Sequence, residues 1–255
     1  MNASQRIAVA GATGRVGAHL VELLASSGHD VVPVSRSNGV DVITGQGLDE
    51  ALAGVETIVD AATGPSPERV AATEFFVTAA GNLQTAGERA GARQIVAVSI
   101  VGCDRFADGY NVAKQAHERA LLAGPVPAHI LRATQFHEFV GQFLDWSTQG
   151  DVAHVPVMRT QLVAARTVAE ELADLATGPN PEAGAAIPEI AGPRVESLVE
   201  IARPLAARRG SPARVEEASD PDDPDRELLA GDGLLPGPRA KLAGPTFEEW
   251  LDSQD

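Results

Sequence analysis

The chain has 255 residues, 44% of them hydrophobic and 22% charged, with a formal net charge of −15 and a pI near 4.8. Such a composition suffices for a substantial globular core, whereas the acidic balance argues against nucleic acid or an anionic membrane as partner, both of which require excess Lys and Arg. A single cysteine, Cys103, excludes an intramolecular disulfide; with no run long enough for a signal peptide or membrane span, a soluble cytoplasmic protein is expected.

In chain order, short apolar runs alternate with amphipathic stretches over the first 135 residues. Strands are predicted at Ile7–Ala10, Val31–Val34, Thr57–Ala61, Ile95–Val98 and His129–Leu131. Helices are predicted between them at Val16–Ser27, Pro67–Ala90 and Asn111–Ala123, with a weaker strand at Val40–Ile43. Pro33 sits inside the second strand, where its missing N–H would cost a ladder bond. This alternation specifies βαβ units and an α/β fold with a doubly wound parallel sheet.

After Arg132 the pattern becomes irregular. A helix is predicted at Phe136–Ser147, with Phe136, Phe139, Phe143 and Trp146 on one face. Helices follow at Thr167–Ala176 and Val195–Arg208, with short strands at Ile187–Ala191 and Arg214–Glu217. Asp220, Asp222, Asp223 and Asp225 read as a solvated, proline-broken loop, and Thr246 with Glu249 has capping-box spacing. The expected organisation is a core over residues 1–135 and a smaller lobe over 136–255, interleaved in one chain.

The stretch "RIAVAGATGRVGAHLVELL" places Gly11, Gly14 and Gly17 directly after a strand and at the start of a helix. One glycine turns the chain, a second lets backbone approach a pyrophosphate, and a third permits close helix packing at a positive helix end. The loop Gly11, Thr13, Gly14, Arg15, Val16 and Gly17 is therefore the expected dinucleotide site, within an NAD(P)-binding core. After the second strand comes Ser35–Arg36–Ser37 rather than the acidic residue that would hold an NAD ribose; Asp30 precedes that strand. Arg36 matches a 2′-phosphate, flanked by two hydroxyls and within reach of Arg15, so NADP(H) is favoured over NAD(H).

The only tyrosine, Tyr110, stands four residues before Lys114, one of two lysines. At this spacing the two share a helix face, and an ammonium nearby would lower the phenol pKa toward acid–base use. Ser99 ends the strand Ile95–Val98 where such sheets place ligands, and its hydroxyl could bond a developing oxyanion. Hydride transfer, with Tyr110 as proton donor or acceptor, is the chemistry this set suits.

With "SIVG", "YNVAK", "ILRATQFHEF" and the closing "TFEEWL", the sequence resembles the atypical short-chain dehydrogenase/reductases, specifically the NmrA-like NAD(P)-binding group, over nearly its whole length. The resemblance implies a Rossmann-type fold, a nicotinamide cofactor, Tyr110 as acid–base, Lys114 on the ribose and Ser99 as third member. It also places Asp60–Thr63, and hence Ala61, Ala62 and Thr63, beside the adenosine side, and the "RATQF" stretch beside the nicotinamide. Thr78 occupies the slot where many of these proteins carry a relay asparagine. Some NmrA-like proteins are non-catalytic sensors lacking the tyrosine, which this chain retains.

Phe136, His137 and Phe139 are candidate substrate-pocket residues, although a lone histidine among aromatics is also a common packing residue. The histidines show no ligand-type spacing, so no metal site is expected. These readings lead to an NADP(H)-dependent oxidoreductase acting on a small uncharged carbonyl, quinone or enone. The alternatives are an NADP(H)-sensing regulatory protein without turnover and, ranked lower because basic residues after Arg132 look sparse, a nucleotide-sugar epimerase. A small-molecule substrate is the expected partner, with monomer and homodimer both open.

Overall fold

Arg6–Ala10 (β1) is buried on both faces, which explains why its sequence is a continuous apolar run rather than an alternating one. The computed structural model describes residues 4–179 and 184–254. Following β1 come α1 (Arg15–Ser26), β2 (Asp30–Val34), α2 (Leu48–Ala51), β3 (Thr57–Asp60), α3 (Arg69–Ala90), β4 (Gln94–Ile100), α4 (Gly109–Leu122) and β5 (Ala128–Ala133). The remaining elements are α5 (His137–Ser147), β6 (Thr148–Gln149), β7 (Val152–Pro156), β8 (Arg159–Thr160), α6 (Ala165–Thr177), β9 (Glu189–Ala191), β10 (Glu196–Ser197), α7 (Leu198–Arg209), β11 (Arg214–Ala218), α8 (Arg226–Ala230), β12 (Lys241–Leu242) and α9 (Phe247–Asp252).

The central sheet is parallel and seven-stranded, in the order β12-β9-β5-β4-β3-β1-β2. This is the expected α/β, Rossmann-like architecture. Pro33 is accommodated because β2 is the edge strand, paired on one side only with β1, where a missing N–H costs least. The strand expected at Val40–Ile43 does not form. Asp41 accepts from Ile43 N at 2.8 Å and from Gly45 N at 2.9 Å, making a turn, while Asn82 Nδ2 donates to the carbonyls of Val42 and Ile43. The carbonyls a ladder would need are thus already taken.

Two units divide the chain. The first comprises Met1–Ser99, Gly109–Arg132 and Val168–Pro188; the second comprises Ile100–Asp108, Ala133–Thr167 and Glu189–Asp255. Within the first, α1 turns Val16, Leu20 and Leu24 inward at four-residue spacing, and Ile58, Leu83, Ile95, Leu121 and Ile130 belong to one apolar cluster. α3 and α4 lie side by side there. In the second unit, Val140, Leu144, Val155, Leu162, Leu198, Leu205 and Phe247 share a separate core.

Phe139 meets Phe143 and Trp146 with ring centroids 5.6 and 6.3 Å apart, so the α5 aromatic stripe exists, but Phe136 precedes the helix as its N-cap. Thr246 and Glu249 form the complete capping box of α9. Asp225 corrects the reading of a wholly solvated acidic loop. It is buried, and its carboxylate accepts from Ala107 N and Asp108 N at 2.9–3.1 Å.

Candidate active site

The glycine loop is packed against its neighbours at two points that exclude a side chain. Gly11 has φ +76°, and a Cβ there would fall 2.6 Å from the Ala61 carbonyl oxygen. A Cβ on Gly17 would fall 2.0 Å from the Gly11 oxygen, so the first turn of α1 lies directly on the loop. Gly14 N donates to Gly11 O at 2.8 Å, and the N–H groups of Arg15, Val16 and Gly17 precede the bond from Ala18 N to Gly14 O. No acidic residue occupies that first turn and no side chain caps it. The cradle fits a pyrophosphate: exposed Thr13 and Arg15 flank a narrow, positively polarised backbone turn.

After β2, Ser35, Arg36 and Ser37 enter a single 3-10 turn over Arg36–Asn38. Asn38 N donates to Ser35 O at 2.9 Å and Gly39 N to Arg36 O at 3.1 Å, while Ser35 Oγ lies 2.9 Å from Ser37 Oγ and also donates to Asn38 Oδ1. The exposed Arg36 guanidinium takes no part in these bonds. Asp30 forms an ion pair with Arg6, away from the end of β2.

The loop after β3 links the end of β1 to the tyrosine. Ala61 N donates to Ala10 O at 3.0 Å, Asp60 Oδ1 accepts from Ala62 N at 3.0 Å, and Thr63 Oγ1 lies 3.0 Å from the Tyr110 hydroxyl. Tyr110 also packs edge-on against Phe76. Burial raises the Tyr110 pKa above its ordinary value, with the Thr63 hydrogen bond opposing. This corrects the expectation of an ammonium-lowered phenol: Lys114 Nζ bonds elsewhere, donating to Val98 O at 2.8 Å and meeting His117 Nδ1 at 2.9 Å.

His117 has no place in the sequence reading, and Asp60 enters it only within the Asp60–Thr63 stretch; the structure joins the two. His117 Nε2 lies 2.9 Å from Asp60 Oδ2, and both side chains are 1% exposed. Burial raises the Asp60 carboxyl, but His117, the Ala62 N–H and the Lys114 charge outweigh it and leave the pKa below the ordinary value. Burial and the Lys114 charge hold His117 below its ordinary value against the pull of Asp60. The consistent state is a carboxylate, a neutral imidazole donating from Nε2 and accepting at Nδ1, and an ammonium. The signal available in the sequence was spacing: His117 follows Lys114 by three residues on the same helix face.

Facing Lys114, α3 presents the Phe76 ring, 4.3 Å from Nζ. Ser99 is buried near the end of β4, beside the Val98 carbonyl that holds Lys114. In the second unit, His137 is fully buried; Nε2 donates to Pro245 O at 3.0 Å, and the ring lies against Phe247 and Trp250. Burial pushes its pKa down to about 4, with the Pro245 bond opposing. His137 thus has a packing role, while Phe136 and Phe139 remain half-buried. Among the described residues, no group of three or more His, Cys, Asp or Glu could hold a metal, and no helix is long and apolar enough to cross a membrane.

Residues 7–123 match the family model described as the NAD dependent epimerase/dehydratase family. No curated protein matches the chain. Among solved structures, the chain is similar to MoeE5 in complex with UDP-glucose and NAD, at 20% identity and TM-score 0.67, covering 98% of this chain and 99% of that one. It is also similar to UDP-N-acetylglucosamine 4-epimerase from Bacillus cereus, at 18% identity and TM-score 0.68, covering 98% and 95%. A short-chain dehydrogenase/reductase superfamily protein from Agrobacterium tumefaciens with bound NAD matches at 16% identity and TM-score 0.67, covering 97% and 95%. At these identities the likeness establishes a shared Rossmann-like fold, and the family match falls on the segment that carries the glycine loop, Tyr110 and Lys114.

Proposed function

We propose that the protein is an NADP(H)-dependent reductase of the NmrA-like type, acting on a small uncharged ketone, quinone or enone, with Tyr110 as proton donor. The observation that carries this reading is the Tyr110 hydroxyl, held by Thr63 at 3.0 Å and kept protonated by burial, one helical turn from buried Lys114. A neutral phenol is a donor, which suits reduction of a carbonyl rather than oxidation of an alcohol. The loop Gly11–Gly17 would hold the pyrophosphate, Arg36 with Ser35, Ser37 and Arg15 the 2′-phosphate, Ala61–Thr63 the adenosine side and Lys114 the ribose. The dinucleotide supplies the hydride. Tyr110 gives its proton to the developing alkoxide, Thr63 fixes the phenol's direction, and Ser99 bonds the oxyanion.

A second reading has its own support. The family match and the structural neighbours favour a nucleotide-sugar epimerase or dehydratase, in which the dinucleotide is recycled. Arginines recur after Arg132, with Arg159, Arg166 and Arg194 among them, so charge does not exclude a diphosphate-linked substrate. The test is a screen of NADPH consumption against quinones, ketones and enones, beside product analysis on UDP-sugars with catalytic NAD. Consumption on the first panel supports the reductase; conversion of a UDP-sugar without net cofactor change replaces it. Tight NADPH binding with neither activity would indicate a sensor.

A further inference from the structure

The geometry points to Asp60 and His117 as positioning residues: they form a buried hydrogen-bonded line that makes Asp60 the counter-ion of the Lys114 ammonium at one remove, through a neutral imidazole. The inference rests on the reading that Lys114 works at the cofactor. It begins from a problem of charge. Lys114 is 5% exposed, and a buried ammonium is costly unless compensated. Around it, α3 brings the Phe76 face to 4.3 Å and β4 a carbonyl oxygen, Val98 O, to 2.8 Å. Tyr110, on the same helix, is protonated and adds no charge. Glu118, also on α4, is engaged by Arg132 through two bonds of 2.9 and 2.8 Å. Asp60, an anion at the end of β3, is reached from Nζ through His117 by contacts of 2.9 and 2.9 Å.

The line has a fixed polarity. Lys114 donates to Nδ1, and Nε2–H donates to Asp60 Oδ2, which requires the neutral Nε2–H tautomer. Because Asp60 and His117 are both 1% exposed, the line ends inside the protein. It therefore holds charge and direction rather than delivering protons to solvent. Asp60 also accepts from Ala62 N, fixing the loop whose Thr63 holds Tyr110. One carboxylate thus sets both the ammonium and the support of the phenol, a role the helix α3 does not fill.

The test uses Asp60→Asn, His117→Gln and His117→Leu in the full chain, with two readouts. The first is ¹⁵N NMR of the histidine and lysine side chains without cofactor. The wild type is expected to show the neutral Nε2–H tautomer of His117 between about pH 6 and 8. In Asp60→Asn the Lys114 ammonium signal is expected to be lost about one to three pH units lower than in the wild type. The second readout is the pH profile of kcat: its alkaline limb moves down by the same amount in Asp60→Asn and His117→Leu, and activity returns on acidification. Glutamine can accept from Lys114 and donate to Asp60, so His117→Gln should recover most of what His117→Leu loses. The inference is overturned if Asp60→Asn loses activity equally at every pH with an unaltered lysine signal. It is also overturned if His117→Gln is as impaired as His117→Leu, which would mean a titrating imidazole is required. If the wild type turns over no substrate, the proposed function fails while the NMR arm still decides this point.

Discussion

Arg36→Ala separates the two cofactors by a single side chain. The 3-10 turn that presents Arg36 is closed by Asn38 N to Ser35 O, Gly39 N to Arg36 O and Val40 N to Ser35 O, all backbone bonds, so the substitution leaves the turn intact. Removing the guanidinium then removes only the contact proposed for it with a 2′-phosphate. Hydrogen bonds to charged groups contribute about 1.5–3 kcal/mol, and solvent at this exposed site places the effect at the lower end. A loss of about 1.5 kcal/mol is roughly tenfold in Kd for NADPH, while NADH affinity should change by less than about twofold. Fluorescence titration of both cofactors, at low and at physiological ionic strength, measures this directly. The wild-type preference should shrink as salt rises. Equal weakening of NADPH and NADH, or an unaltered NADPH affinity, would refute the assignment of Arg36 to the phosphate.

Two further outcomes follow from packing and burial. Gly17→Ala drives a Cβ into the Gly11 carbonyl, a backbone atom that cannot swing aside, so the loop must shift. A stability loss of about 1–3 kcal/mol is expected by calorimetry, together with weaker dinucleotide binding; Gly14→Ala, with its nearest contact at 3.1 Å, should be milder. His137 has a folded pKa of about 4 against an ordinary 6.5, so below pH 6.5 the unfolded chain takes up a proton that the folded protein refuses. Its stability contribution is full above pH 6.5 and is lost as pH falls toward 4, by about 3 kcal/mol. His137→Gln keeps a donor for Pro245 but does not titrate, so its urea-denaturation stability should fall less between those pH values. Parallel curves for variant and wild type would show that His137 does not titrate as described.

Much of the fold was legible because local pattern and tertiary context agree. The runs around Ile7, Thr57 and Ile95 become interior parallel strands, and two of the three loop glycines, Gly11 and Gly17, sit where backbone contact forbids a side chain. Failures came where side chains override the pattern. Val40–Ile43 is apolar enough for a strand, but Asp41 and Asn82 take its backbone partners. Asp225 resembles its solvated neighbours in sequence, yet it is buried and meets the Ala107 and Asp108 amides. At the site, Tyr110 and Lys114 stand out by rarity, whereas Asp60 and His117 are joined across 57 positions and acquire meaning only when β3 and α4 are brought together.

The central claim is that Tyr110 donates the proton accompanying hydride transfer. It is tested most directly by following NADPH oxidation in a single turnover, wild type against Tyr110→Phe, with whichever carbonyl substrate the screen identifies. The account predicts that the variant binds NADPH within a few-fold of wild type while its hydride-transfer rate falls on the order of 10²- to 10⁴-fold. A Tyr110→Phe variant that transfers hydride at the wild-type rate would contradict it.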